Sequence, residues 1–150
     1  MIINPEDIIY NQENDYSCGA VCLRWIYDIL RCHKEFSQLD MEKITKTSYQ
    51  GTSHKGIKEA CKELGLFYDE FNELDIISRC LKSGDSKAIV GWTPWDEHYS
   101  VVVDITDDFI VLNDPASPSC ISVYAREEFE KVWFDSENGQ RKEHWAIVIC

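Results

Sequence analysis

HYSVVVDITDDFIVLND, residues 98–114, holds two short apolar runs separated by a polar turn. HYSVVVDI and FIVL are rich in β-branched and aromatic residues, and DITDD between them is a turn signal, so the stretch reads as a β-hairpin. Outward from it, KAIVGW (87–92), CISVY (120–124) and HWAIVI (144–149) are runs of the same kind, interrupted by one helical pattern over about 126–133. The N-terminal half has a different period. Apolar residues recur at helical spacing from Cys18 to Arg31, where Val21, Trp25 and Ile29, with Cys22 and Ile26 on the neighbouring row, form the buried side. Asp15 and Ser17 are candidate N-caps for that helix. A short helix is expected near 40–46. In GTSHKGIKEACKELGL (51–66), Thr52 or Ser53 opens a helix that buries Ile57, Ala60, Cys61 and Leu64, and Gly65 closes it. A fourth helix is expected over about 73–82. Helices first and strands second predict an α+β fold with a mostly antiparallel sheet.

The 150 residues, without repeat, low-complexity segment or linker, read as one domain, 1–150. A domain of this size buries roughly 68–70% of the surface its unfolded chain exposes, so it does not depend on disulfides. Residues 1–15 carry acids where an export signal carries a basic and then an apolar segment. No uncharged apolar run approaches the roughly 20 residues that span a bilayer. A soluble, cytoplasmic protein is expected. The net charge of −12 argues against binding nucleic acid or an anionic membrane surface, both of which require Lys and Arg. A cationic or neutral peptide is the easier partner, although acidity also serves solubility alone. Seven cysteines, an odd number, without an export signal predict mostly reduced, buried thiols rather than a disulfide framework. With no C-x-x-C or H-x3-5-H pair, a zinc set of Cys18, Cys22, Cys32 and His33 has the wrong spacing, and neither metal nor cofactor is expected.

Cys18 differs from the other cysteines by its setting. It falls on the first turn of a helix, where free N–H groups and the helix dipole favour an anion, and a neighbouring imidazolium drives a thiol further toward thiolate. Gly19 beside it is expected to leave substrate an open approach. A nucleophilic cysteine also needs an oriented base. His98 begins one strand of the hairpin and Asp114 ends the other, so the two are neighbours and the carboxylate can fix the imidazole tautomer. Gln12, six residues before Cys18, is a candidate donor to an oxyanion beside the Cys18 N–H, a contribution of about 2.7–4 kcal/mol in comparable sites. Asn11 and Asn14 are chemically similar competitors. Taken singly, each residue has an ordinary reading, a buried thiol for Cys18 or a turn residue before Pro115 for Asp114.

Together, Q-x5-C-G-x-x-C-L, H-Y-x-V-V-V and N-D-P-A resemble the papain-like cysteine peptidases, and within them the bacteriocin-processing, double-glycine leader peptidases. G-T-S-x-x-G-I (51–57), A-C-K-E-L-G-L (60–66) and R-E-E-F-E-K-V-W (126–133) extend the likeness over most of the chain, roughly 12–149. The resemblance implies a papain-like fold in which Cys18 attacks a peptide amide, His98 is base and then acid, Asp114 orients it and Gln12 helps hold the oxyanion. It points to the stand-alone members rather than to exporter-linked ones. Ser17 stands where such peptidases carry an acid before the cysteine. The same triad serves a transamidase or deamidase, and a peptide-binding module without turnover is the non-enzymatic alternative. Cys22 is expected in the core, His33, His54 and His144 at the surface or in the core, Trp92 and Trp95 in the core or along a substrate cleft, and Asp104, Asp107 and Asp108 around a solvated turn.

Overall fold

The computed structural model describes residues 11–32, 34–117 and 121–150, which leaves His33 and Cys120 outside the described residues. Three helices come first: α1 (Cys18–Arg31), α2 (Gln38–Ile44) and α3 (His54–Glu63). Then follow β1 (Tyr68–Phe71), α4 (Leu74–Lys82), β2 (Lys87–Trp92), β3 (His98–Ile105), β4 (Phe109–Asn113) and β5 (Ile121–Ala125). The chain continues through α5 (Arg126–Val132), β6 (Phe134–Glu137), β7 (Gln140–Glu143) and β8 (Ala146–Ile149). Six strands form one sheet in the order β1-β8-β2-β3-β4-β5, with every pairing antiparallel, and β6 and β7 form a separate hairpin. This is the α+β architecture expected of the sequence.

The sheet is covered on both faces, so its central strands are continuous apolar runs. Every residue of β2 and β8 is buried. On one face Leu23, Trp25 and Ile26 of α1, Met41 of α2 and Ile57 of α3 pack with Ile89, Val101 and Ile147. On the other, Ile77 of α4 and Phe129 of α5 pack with Val90, Leu112 and Val148. Among the described residues no helix is long and apolar enough to cross a membrane.

Several local expectations are corrected. Helix α2 starts at Gln38, two residues before the expected Asp40, because Ser37 and Asp40 form a reciprocal capping box. Ser17 holds the N-cap position of α1, but its side chain makes no cap bond and receives the Gln38 amide at 3.2 Å instead. Three described cysteines, Cys18, Cys22 and Cys61, are buried, whereas Cys80 is half-buried and Cys32 and Cys150 are exposed. Cys32 lies in the left-handed region (φ 51°), where it ends α1, and Cys150 continues past β8. Strand β1 and the β6–β7 hairpin are additions to the expected elements, for YDEF, FDSE and QRKE are short and charged and carry no apolar alternation.

A one-residue irregularity in β3 decides which way Asp114 faces. Ile105 pairs with Ile110 and Asp104 with Val111, but Val102 pairs with Leu112 and Val101 with Asn113, so Val103 is an extra residue. Continuing the second register by one residue brings Asp114 opposite Ser100, on the face that His98 shares. Without the bulge Asp114 would fall opposite Val101 and face the other way, because a one-residue slip flips every side chain.

Candidate active site

The start of α1 and the start of β3 meet at one cleft of about 690 Å³ whose lining includes Cys18, Thr52, His98, Tyr99 and residues 135–139. Cys18 is the first residue of α1, and the first intrahelical bond there is Val21 N–H to the Ser17 carbonyl, so the N–H groups before it have no helical acceptor. Ser17 supplies them no side-chain cap. His98 Nε2 is hydrogen-bonded to Asp114 Oδ1, which also accepts Ala116 N–H at 2.9 Å. Nδ1 is the ring nitrogen not engaged by Asp114, and Cys18 lines the same cleft as His98. Burial opposes a charge on the ring, but the hydrogen bond to Asp114 and the neighbouring Cys18 and Asp114 charges outweigh it, and the His98 pKa rises from 6.5 to about 9. The imidazolium therefore persists at neutral pH. Trp95 is 72% exposed and stacks on His98 with centroids 6.3 Å apart, while Trp92 is buried and donates its indole N–H to Ser100 Oγ at 3.0 Å.

Cys18 and His98 are thus brought to one cleft with Asp114 on the His98 ring, and Gln12 is tied to the same region by its backbone N–H, which donates to the Pro115 carbonyl at 3.1 Å. Its Nε2 donates to the Asn14 carbonyl at 2.6 Å, and it lines a different depression, with Asn11, Asn14 and Pro115. Asn14 is committed as well, donating to Glu42 at 3.1 Å. Gly19 also differs from its expected role: a Cβ there would lie 2.8 Å from Thr52 Cβ and 3.1 Å from Tyr99 Cδ2. Glycine at this position lets α1 pack against Thr52 and Tyr99 and opens no path to substrate. Cys22, one turn on, is in the core, where burial first and then the charges of Cys18 and Asp114 push its thiol well above the ordinary value. Burial alone pushes Cys61 up to about 12. Among the described residues no group of three or more His, Cys, Asp or Glu is disposed to hold a metal ion.

A second His–Asp pair borders the same cleft. His54 Nε2 lies 2.5 Å from Asp135 Oδ2, both side chains are buried, and the His54 ring stacks on Trp145 at 3.8 Å. His54 is therefore a core histidine, whereas His144 is half-buried and stacks on Trp133 at 4.5 Å. Sequence reasoning does not reach Asp135 or Glu137. The signal available is Asn138-Gly139, the strongest short hairpin-turn pair, whose φ values of 54° and 74° make the turn between β6 and β7.

A helical half carrying a cysteine at a helix start, packed on an antiparallel sheet carrying a histidine at a strand start, is the papain-like cysteine peptidase architecture. The chain belongs to the peptidase C39 family, whose family model matches residues 7–136, ending within β6. No curated protein matches it. Among solved structures it is similar to the peptidase domain of Streptococcus ComA, a bi-functional ABC transporter involved in quorum sensing, at 21% identity and TM-score 0.73, covering 94% of this chain and 96% of that one. It is also similar to a double glycine motif protease from an AMS/PCAT transporter in complex with the leader peptide, at 16% identity and TM-score 0.69 over 94% and 89% of the two chains. A C39-like peptidase from Bacillus anthracis gives 16% identity and TM-score 0.66 over 95% and 94%.

Proposed function

We propose that this chain is a single peptidase domain that hydrolyses a peptide bond after a leader segment ending in two glycines, with Cys18, His98 and Asp114 as its catalytic triad. Membership of a cysteine peptidase family supports the reaction class, and the leader peptide bound to a structurally similar protease supports the substrate class. The residue roles are supported by the His98 ring bonded to the Asp114 carboxylate in the same cleft that Cys18 lines.

The thiolate of Cys18 attacks the carbonyl carbon, forming a C–S bond and an oxyanion beside the free N–H groups at the start of α1. His98, already an imidazolium, gives its Nδ1 proton to the leaving amine as the C–N bond breaks. Water then attacks the thioester, His98 takes its proton, and the C–S bond breaks to restore the thiolate. Asp114 holds the ring and its charge throughout. Gln12 joins as an oxyanion donor by turning its amide away from the Asn14 carbonyl when substrate arrives.

A peptide with a Gly-Gly leader, incubated with the protein and weighed by mass spectrometry, tests the reading. Two fragments from wild type and none from Cys18→Ala are expected. Undiminished cleavage by Cys18→Ala would overturn the assignment, and a mass gain without chain scission would point instead to a transamidase or deamidase.

A further inference from the structure

The β6–β7 hairpin is fixed firmly against the catalytic cleft. Thr93 Oγ1 donates to the Phe134 carbonyl at 2.6 Å, Asp135 is paired with His54, and the two Glu137 oxygens accept the His54 and Lys55 N–H groups, each at 3.0 Å. Residues 135–139 consequently form a built wall of the cavity that contains Cys18 and His98. Most of the hairpin lies beyond residue 136, where the family match ends.

That wall is short of positive charge. Asp15, Asp96, Glu97, Asp135 and Glu137 line the cleft, and among the described lining residues the only lysine or arginine is Lys46, which is paired with Glu59 at 3.2 Å. Glu137 is satisfied by the N-terminus of α3. Asp135 is not satisfied: its side chain is only 5% exposed, and Oδ1 is buried without a hydrogen-bond partner. A buried carboxylate oxygen without a donor is costly, and a charge-assisted donor is its strongest remedy. Burial first, and then the negative charges of Glu97 and Glu137, raise the Asp135 carboxyl above its ordinary value despite His54. Glu97 and Asp135 line the same cavity, so a cation entering it meets both carboxylates.

We propose that the β6–β7 hairpin is a specificity element that receives a lysine or arginine side chain of the substrate beside the scissile bond, held by Asp135 and Glu97. The inference rests on the proposed peptidase activity and adds to it which side chain the substrate carries near the cut.

The test uses Gly-Gly leader peptides that keep both glycines and carry Lys, Ala or Glu in turn at each of the positions just after the scissile bond and just before the two glycines. Wild type is expected to favour Lys over Glu at one position by about tenfold or more in kcat/KM, with Ala between. The ratio should shrink toward one in Asp135→Asn and Glu97→Gln and reverse in Glu97→Lys. Glu97 is exposed, so its variants carry the test if Asp135→Asn does not fold. Fluorescence anisotropy of the same peptides on Cys18→Ala should give the same ranking. Peptides bound with this preference but never cut would overturn the peptidase reading and leave the hairpin's role standing. Peptides cut, or bound, without regard to charge at every position would overturn the hairpin's role, with the Asp135 oxygen then serving only an ordered water.

Discussion

Two histidine–aspartate pairs border one cleft, and they differ in what the imidazole faces on its other side. His98, at the start of β3, has Asp114 on Nε2 and a thiol beyond it. His54, at the start of α3, has Asp135 on Nε2 and the flat face of Trp145 against its ring. In the proposed mechanism the first pair has a thiol nucleophile beside it and a leaving amine to receive its proton. The second has only packing, so it fixes the hairpin and leaves an aspartate oxygen looking for a donor. An imidazole–carboxylate pair is therefore not itself a catalytic signature; the third group decides its use.

Breaking each pair should expose that difference. His98→Ala is expected to lower kcat/KM by about 10²–10⁴-fold, the usual contribution of a general acid–base, in a protein whose circular dichroism is unchanged. His54→Ala should act chiefly on stability, since removing one partner of a buried pair costs about 3–5 kcal/mol. Urea titration reads that loss, and an unchanged midpoint would show that Asp135 needs no partner. Gly91→Ala should cost less, about 1–3 kcal/mol, because a Cβ at position 91 would lie 2.2 Å from Asp135 Oδ2 and push the second pair apart from beneath.

The first pair also has a pH signature, of smaller size. Because the His98 pKa is raised from 6.5 to about 9, activity that needs the imidazolium should fall as pH rises through about 9. The stability that the pair contributes follows the same sign: it is fully present below the ring's ordinary value and lost through the raised one. Asp114→Asn removes a negative charge that holds the proton, and should move the alkaline limb of kcat/KM down by about one unit, or 1.4 kcal/mol. A limb that does not move would mean that Asp114 only orients the ring.

Much of this architecture is legible in the amino-acid sequence. The period change ahead of residue 87 and the order of elements point to the α+β fold, and the 98–114 hairpin brings His98 and Asp114 side by side. The facing of that pair is not legible, because it depends on the bulge at Val103, and a register shift leaves no mark in an apolar run such as VVV. Gln12 is suggested by spacing alone, which sees sequence distance but not the competing Asn14 carbonyl. Gly19 reads as space for substrate when it is space for Thr52 and Tyr99. The hairpin wall escapes a sequence reading because its strands are stabilised by side-chain ties to α3 and Thr93 rather than by burial of an apolar face. Specificity here is built from residues whose local sequence is that of an ordinary polar loop.

If the proposed triad is right, His98 is kept charged by Asp114 and by the neighbouring Cys18. An NMR titration of the His98 ring in wild type and Cys18→Ala measures it directly. A wild-type midpoint near pH 9 that drops when the thiol is removed is the expected result. A midpoint near 6.5 in wild type, unchanged in the variant, would contradict it.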